Sequence, residues 1–247
     1  DPARFKVAGL GDWGLAGGQY FKQWRSDLHM VEPFAVPEAW VKFRAMDWGS
    51  SAPYACLWLA ADYDNTLYVY RELYGWGGRP NVGTEETARE VGERIVSLEP
   101  RAEGVRYGVL DSACWARPGI TGPTVAEELN RVLYDHHLVT FGKCSKGRAA
   151  MANQIKQRLI GKPDKEGRQV PALKVFASCT HLLRTLPMLG YDKHNPEDYD
   201  TQGEDHAVDA LGYGLMSRPY APAKPRAVQD YDRYRRRRQR KPSAWTT

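Results

Sequence analysis

Residues 41–73 read VKFRAMDWGSSAPYACLWLAADYDNTLYVYREL. The run at 41–46 is short and bulky and stops at Asp47-Trp48-Gly49-Ser50, which reads as a strand ending in a turn. A second apolar run covers 55–61. Asp62-Tyr63-Asp64-Asn65 then supplies turn chemistry, and 67–73 alternates as a third strand. Three strands in direct succession form an antiparallel meander.

Beyond this stretch the period changes. Thr84 with Glu85 and Glu86 reads as a helix start, and Ala88, Val91, Ile95 and Leu98 recur at helical spacing. A buried-type strand at 105–110 ends at Asp111. Thr124 and Glu127 form a capping box for a helix carrying Val125, Leu129, Val132 and Leu133. A short strand follows at 138–141, then helices at about 146–160 and 178–189 around a strand near 173–176. The last helix is expected from Thr201, which stands at capping-box spacing from Glu204, to about Ser217. Alternating strands and helices favour parallel pairing, so the expected architecture is a mixed sheet with helices on both faces.

Upstream, residues 1–40 are rich in Gly and Trp, contain Pro33 and Pro37 and show little periodicity; they read as a linker or the end of an upstream domain. From Arg218 onward there are ten Lys or Arg against two Asp, a net of +8, whereas the remainder carries 25 basic and 28 acidic residues, a net of −3. The last thirty residues read as a basic, disordered tail, and any DNA contact by the body must rest on local patches. No apolar run reaches the roughly 18 residues that span a bilayer. The four cysteines lie far apart without a CxxC pair, which fits reduced thiols better than a zinc or redox centre.

Three acidic positions stand out by placement. Asp47 ends the first strand of the meander, Asp111 ends the fourth strand, and Asp205 and Asp209 lie four residues apart on the closing helix. Taken singly, such residues are more often turn formers or helix caps than ligands. Brought together, carboxylates repel unless cations neutralise them, and hard oxygen donors suit Mg²⁺ or Mn²⁺. A pair of such ions is a standard device for phosphodiester hydrolysis. Lys143, Lys146 and Arg148, with Lys156 and Arg158 farther along, gather after the fifth strand. The first three read as a phosphate-contacting edge, the last two as a solvated helix face. His136, His137 and His181 read as surface or packing residues.

The order and wording of the acidic motifs go further. Asp47-Trp48-Gly49-Ser50-Ser51, Val109-Leu110-Asp111-Ser112 and the segment from Glu204-Asp205-His206 through Asp209-Ala210 to Tyr213 resemble the three motifs of the large-terminase nuclease of tailed bacteriophages, over residues 41–217. That resemblance implies a ribonuclease H-like fold with a five-stranded mixed central sheet, its first three strands antiparallel and the rest parallel. It implies catalytic and metal-binding roles for Asp47, Asp111 and Asp209, with Asp205 as a further ligand and His206 as an auxiliary group. It implies two Mg²⁺ or Mn²⁺ ions and endonucleolytic cutting of double-stranded concatemeric viral DNA during packaging.

Its implied partners are an upstream ATPase motor, the small terminase subunit and the portal ring. The implied location is the host cytoplasm, with no membrane partner. Residues 4–24 resemble the exit segment of that motor, and no GxxxxGK[ST] phosphate loop occurs here, so this chain would not pump DNA by itself. The alternatives are another ribonuclease H-like enzyme, acting on junctions or RNA hybrids, or a non-catalytic docking module for nucleic acid or portal.

Overall fold

In the computed structural model, residues 18–117, 122–144, 147–195, 197–226 and 229 are described. Along them run α1 (Ser26–His29), β1 (Met30–Val31), β2 (Val41–Asp47), β3 (Ala55–Ala61), β4 (Leu67–Tyr74), α2 (Ala88–Leu98) and β5 (Tyr107–Leu110). Then come α3 (Val125–Asp135), β6 (Phe141–Lys143), α4 (Arg148–Ile160), β7 (Lys162–Pro163), β8 (Gln169–Val170), β9 (Leu173–Phe176), α5 (Thr180–Thr185) and α6 (His206–Met216).

Every residue of β2 and β3 is buried, which is why both read as nearly continuous apolar runs: each is covered on two faces. β2 pairs antiparallel with β3 and β3 with β4, as the meander required. β5 then joins the other edge of β2 in parallel, and β6 follows in parallel on β5. β9 lies parallel to β4 and β1 parallel to β9, giving the order β1-β9-β4-β3-β2-β5-β6. The mixed sheet thus has seven strands where five were expected; β9 and the two-residue β1 extend one edge. β7 and β8 form a separate, exposed hairpin.

β1 comes from residues read as a linker or the end of an upstream domain. Residues 18–40 pack onto the domain: Tyr20, Phe21, Trp24 and His29 are buried, and the Tyr20 amide donates to the Leu189 carbonyl. Their aromatic side chains carry the apolar area that a linker lacks, with Tyr20 and Phe21 both meeting Tyr199. At the other end, Lys224 pairs with Asp64. The arginine-rich stretch after residue 229 lies outside the described residues, as does Lys146.

Two helix starts differ from the sequence reading. α2 is capped by Thr87, not Thr84, because only Thr87 closes a reciprocal box, with Glu90. α6 starts at His206 with Asp205 as its N-cap, rather than at Thr201. Glu204 cannot serve a box with Thr201 because the Arg184 guanidinium and the Tyr74 hydroxyl hold its carboxylate. The capping box of Thr124 and Glu127 is present as read.

α6 is buried from Ala207 to Leu215, as a helix covered on all sides should be. Two glycines allow this. A Cβ at Gly214 would stand 3.2 Å from Ala45 Cβ and 3.3 Å from Leu59 Cδ1, so α6 lies directly on the sheet. A Cβ at Gly212 would stand 2.5 Å from Met151 Cε and 3.1 Å from its Cβ, so α4 lies directly on α6. The opposite face of β2 carries Arg44, whose guanidinium is wholly buried against Glu99 just beyond α2.

Candidate active site

Strand register fixes the first two carboxylates. Met46 is opposite Leu110 in the parallel pairing of β2 with β5, so the chain leaves both strands one residue later, at Asp47 and Asp111, on the same edge. The Asp111 amide still donates to the Met46 carbonyl at 3.1 Å. The Asp111 side chain accepts from the Ala113 amide at 3.0 Å and caps a short 3-10 turn, Ser112–Trp115. The bland role of turn former and the candidate role therefore coexist in this residue.

The N-terminal end of α6 meets that edge. Asp205 caps the helix, Asp209 lies in its first turn, and the Asp209 amide donates to the Asp205 carbonyl at 2.8 Å. His206 Nδ1 stands 3.0 Å from Asp47 Oδ2, which ties the helix to the strand end. The start of the closing helix is thereby brought to the ends of β2 and β5.

Burial and mutual repulsion shape the electrostatics. Asp47, Asp205 and Asp209 are each 6–7% exposed. Burial pushes the Asp47 carboxyl up to about 6, with Asp209 and Asp111 adding to the rise and His206 opposing it. Burial and then Asp209 push Asp205 up to about 7. Asp209 is also raised by burial, against the opposing hydrogen bond of Tyr199 and the charge of Arg148. Burial disfavours charge on His206, but Asp47, Asp205 and Asp209 outweigh it and hold the imidazole above its ordinary value.

The protein answers this charge with its own cations. Arg148 Nη2 stands 2.8 Å from Asp209 Oδ2 and 3.3 Å from Asp205 Oδ2. The Arg148 guanidinium also lies 4.9 Å from the centre of the Tyr199 ring, and Nε is 4.0 Å from Asp198. The buried Tyr199 hydroxyl donates to Asp209 Oδ1. Arg148 was expected on a DNA-contacting edge; here it lies inside the carboxylate cluster. Lys143 lies on β6, the outermost strand on that side of the sheet. It is exposed at the end of β6, paired in register with Leu110, and its ammonium sits 5.6 Å from the Trp115 ring centre.

Lys156 and Arg158 are otherwise engaged, Lys156 over the Tyr20 ring and Arg158 on the Asn65 carbonyl. His181 stacks on Tyr74 and so has the packing role read for it. Sequence reasoning missed Tyr199 and the carboxylate-facing role of Arg148. Nothing in local periodicity signals either.

The donor set fits a hard divalent cation. Its buried carboxylates already raise one another's proton affinity, and oxygen donors of this kind suit Mg²⁺ or Mn²⁺. Among the described residues, however, no group of three or more His, Cys, Asp or Glu side chains is arranged to hold a metal ion as it stands. Arg148 stands against Asp205 and Asp209, and His206 against Asp47.

No protein-family model matches the chain. No curated protein matches it either. Solved structures do. The large terminase nuclease domain of phage P22 is 19% identical with a TM-score of 0.60, over 84% of this chain and 95% of that one. A large terminase of a thermophilic bacteriophage is 14% identical with a TM-score of 0.60; 81% of this chain matches 45% of that one, so the chain spans just under half its length. The large terminase nuclease of thermophilic phage G20c, solved with bound cobalt, is 12% identical with a TM-score of 0.50, over 81% and 97% of the two chains. The chain therefore has the ribonuclease H-like fold of the large terminase nuclease domains.

Proposed function

We propose that this chain is the nuclease part of a large terminase subunit, an endonuclease that cuts double-stranded concatemeric viral DNA with two Mg²⁺ or Mn²⁺ ions. The observation that carries this reading is the meeting of Asp47 and Asp111, from adjacent strand ends, with Asp205 and Asp209 at the start of α6. The cobalt bound by the G20c nuclease supports a divalent ion in this fold.

Asp47, Asp111 and Asp209 would hold the ions, with Asp205 as a further ligand. Ions bound there supply an activated water and stabilise the leaving oxygen. His206 keeps Asp47 oriented and can hold a proton at its ring. Lys143 offers an exposed cation one strand from Asp111, where it can position a DNA phosphate without reading sequence.

The wider assembly belongs to the same proposal: an upstream ATPase motor, the small subunit, and a portal ring engaged through the basic tail, acting in the host cytoplasm. The ATPase part is supported by the large terminase in complex with ATP-γ-S, of which this chain matches 47%. No helix among the described residues is long and apolar enough to cross a membrane.

The test is plasmid cleavage by the purified chain with Mn²⁺, with Mg²⁺ and with EDTA, alongside branched DNA and an RNA–DNA hybrid. Cleavage of perfect duplex that needs the ion and vanishes in Asp47→Asn and Asp209→Asn is expected. Full activity in either folded mutant would end the proposal, and preference for junction or hybrid would move it to another enzyme of this fold.

A further inference from the structure

α4 begins with an unfavourable residue. Arg148 is its first residue, at the positive end of a 13-residue helix with no acidic side chain in the first turn and no side-chain cap. Basic residues are stabilised at the other end of a helix. What compensates is α6. Met151 rests on Gly212, and one turn away along both helices Arg148 rests on Asp209. The close approach permitted by Gly212 places the guanidinium over the carboxylates.

The arrangement there is complete for the aspartates and incomplete for the arginine. Asp209 has both oxygens engaged, Oδ1 by Tyr199 and Oδ2 by Arg148, and Asp205 Oδ2 shares the same Nη2. Arg148 Nη1 is buried with no hydrogen-bond partner among the described residues. The side chain as a whole is 30% exposed. A planar fork with an unused donor is well suited to a phosphate, whose oxygens it can meet two at a time.

We propose that Arg148 is a built-in counter-cation: it keeps Asp205 and Asp209 closed to a divalent ion until a DNA phosphate draws the guanidinium away. The exchange leaves each group with an opposite charge beside it. The carboxylates trade an arginine for a metal ion, and the arginine trades carboxylates for a phosphate. Metal loading and DNA engagement then favour one another, and the metal-free, DNA-free protein stays inert. This inference rests on the nuclease reading given above.

Calorimetric titration of the whole chain with Mn²⁺, without DNA, tests the first half, using wild type, R148Q and R148K. Loss of one charge-assisted contact to each aspartate should tighten Mn²⁺ binding by about tenfold in R148Q. R148K, which keeps the positive charge but not the guanidinium's reach and planar donors, should fall between the two, and it carries the test if R148Q does not fold.

Fluorescence anisotropy with a short duplex tests the second half. R148Q should match wild type in EDTA, where Arg148 is engaged by the aspartates, and bind several-fold more weakly in Ca²⁺. Equal Mn²⁺ affinity in all three proteins would overturn the proposal while leaving the metal-dependent reading intact. Absence of Mn²⁺ binding in all three would overturn both. An equal loss of DNA affinity in EDTA and Ca²⁺ would make Arg148 a permanent phosphate contact and refute the exchange.

Discussion

Replacing Glu99 by Gln should destabilise the fold far more than a single neutralised side chain would on the surface. Glu99 is buried with Arg44 behind β2. Its carboxylate takes Arg44 Nη1 at 2.5 and 2.7 Å and Trp58 Nε1 at 2.6 Å, and the side chains of Arg44 and Glu99 are 0% and 2% exposed. Arg44 also donates to the Val139 carbonyl and lies 4.6 Å from the Phe141 ring centre. It reaches that pocket past Gly108, where a Cβ would stand 2.9 Å from Phe141 and 3.3 Å from Arg44 Cγ.

Breaking such a pair strands a buried charge, at a cost of about 3–5 kcal/mol. Gln keeps an acceptor, so about 3 kcal/mol is expected, or roughly 6–12 °C in melting temperature for a chain of this size. Replacing both partners with apolar residues, Arg44→Met with Glu99→Leu, should recover most of that loss, because neither charge is then left in the pocket. Urea unfolding at neutral pH with calorimetry as a cross-check measures both. A loss below about 1 kcal/mol in E99Q, or a double mutant no better than the single, would refute the view that an unpaired buried charge governs this site.

Other outcomes follow from the same contacts. The His29 ring is 1% exposed, with Nε2 donating to the Leu159 carbonyl, and burial holds it below its ordinary value. A depressed histidine contributes stability that is present above about pH 6.5 and is lost as pH falls toward its folded value, so His29→Gln should flatten unfolding free energy against pH below that point. Tyr199→Phe removes the donor to Asp209 Oδ1 and should cost about 1–3 kcal/mol in metal-free thermal unfolding; an unchanged melting curve would count against that bond. Lys143→Ala should weaken duplex binding equally across sequences and reduce the salt slope by about 0.9, checked by anisotropy at several salt concentrations.

The meander was legible because each of its strands is bounded by turn residues, and the acids stood out because β2 stops at Asp47 and β5 stops just before Asp111. The box of Thr124 and Glu127 was legible because both halves are local. The same logic failed at Thr201, where the spacing to Glu204 is right but Arg184 and Tyr74 claim the glutamate from other elements. It failed for β1 because two residues cannot show a period, and their pairing is with β9, far along the chain. Asp205 and Asp209 were found by motif, but their partner Arg148, 57 and 61 residues away, depends on how closely two helices pack. Contacts made within one turn were readable; contacts made through packing were not.

The glycines of α6 also bear on how this domain can be engineered. Exchanging a helical glycine for alanine is a common route to thermostability, worth about 1 kcal/mol from chain entropy alone. At Gly212 and Gly214 the added methyl would press on Met151, or on Ala45 and Leu59, so its gain is set against a shift of these neighbours. α6 thus works as a shim whose thickness sets the spacing between Arg148 above and the end of β2 below. A sequence optimised for helix strength at these two positions would be a stiffer helix with a misaligned front end.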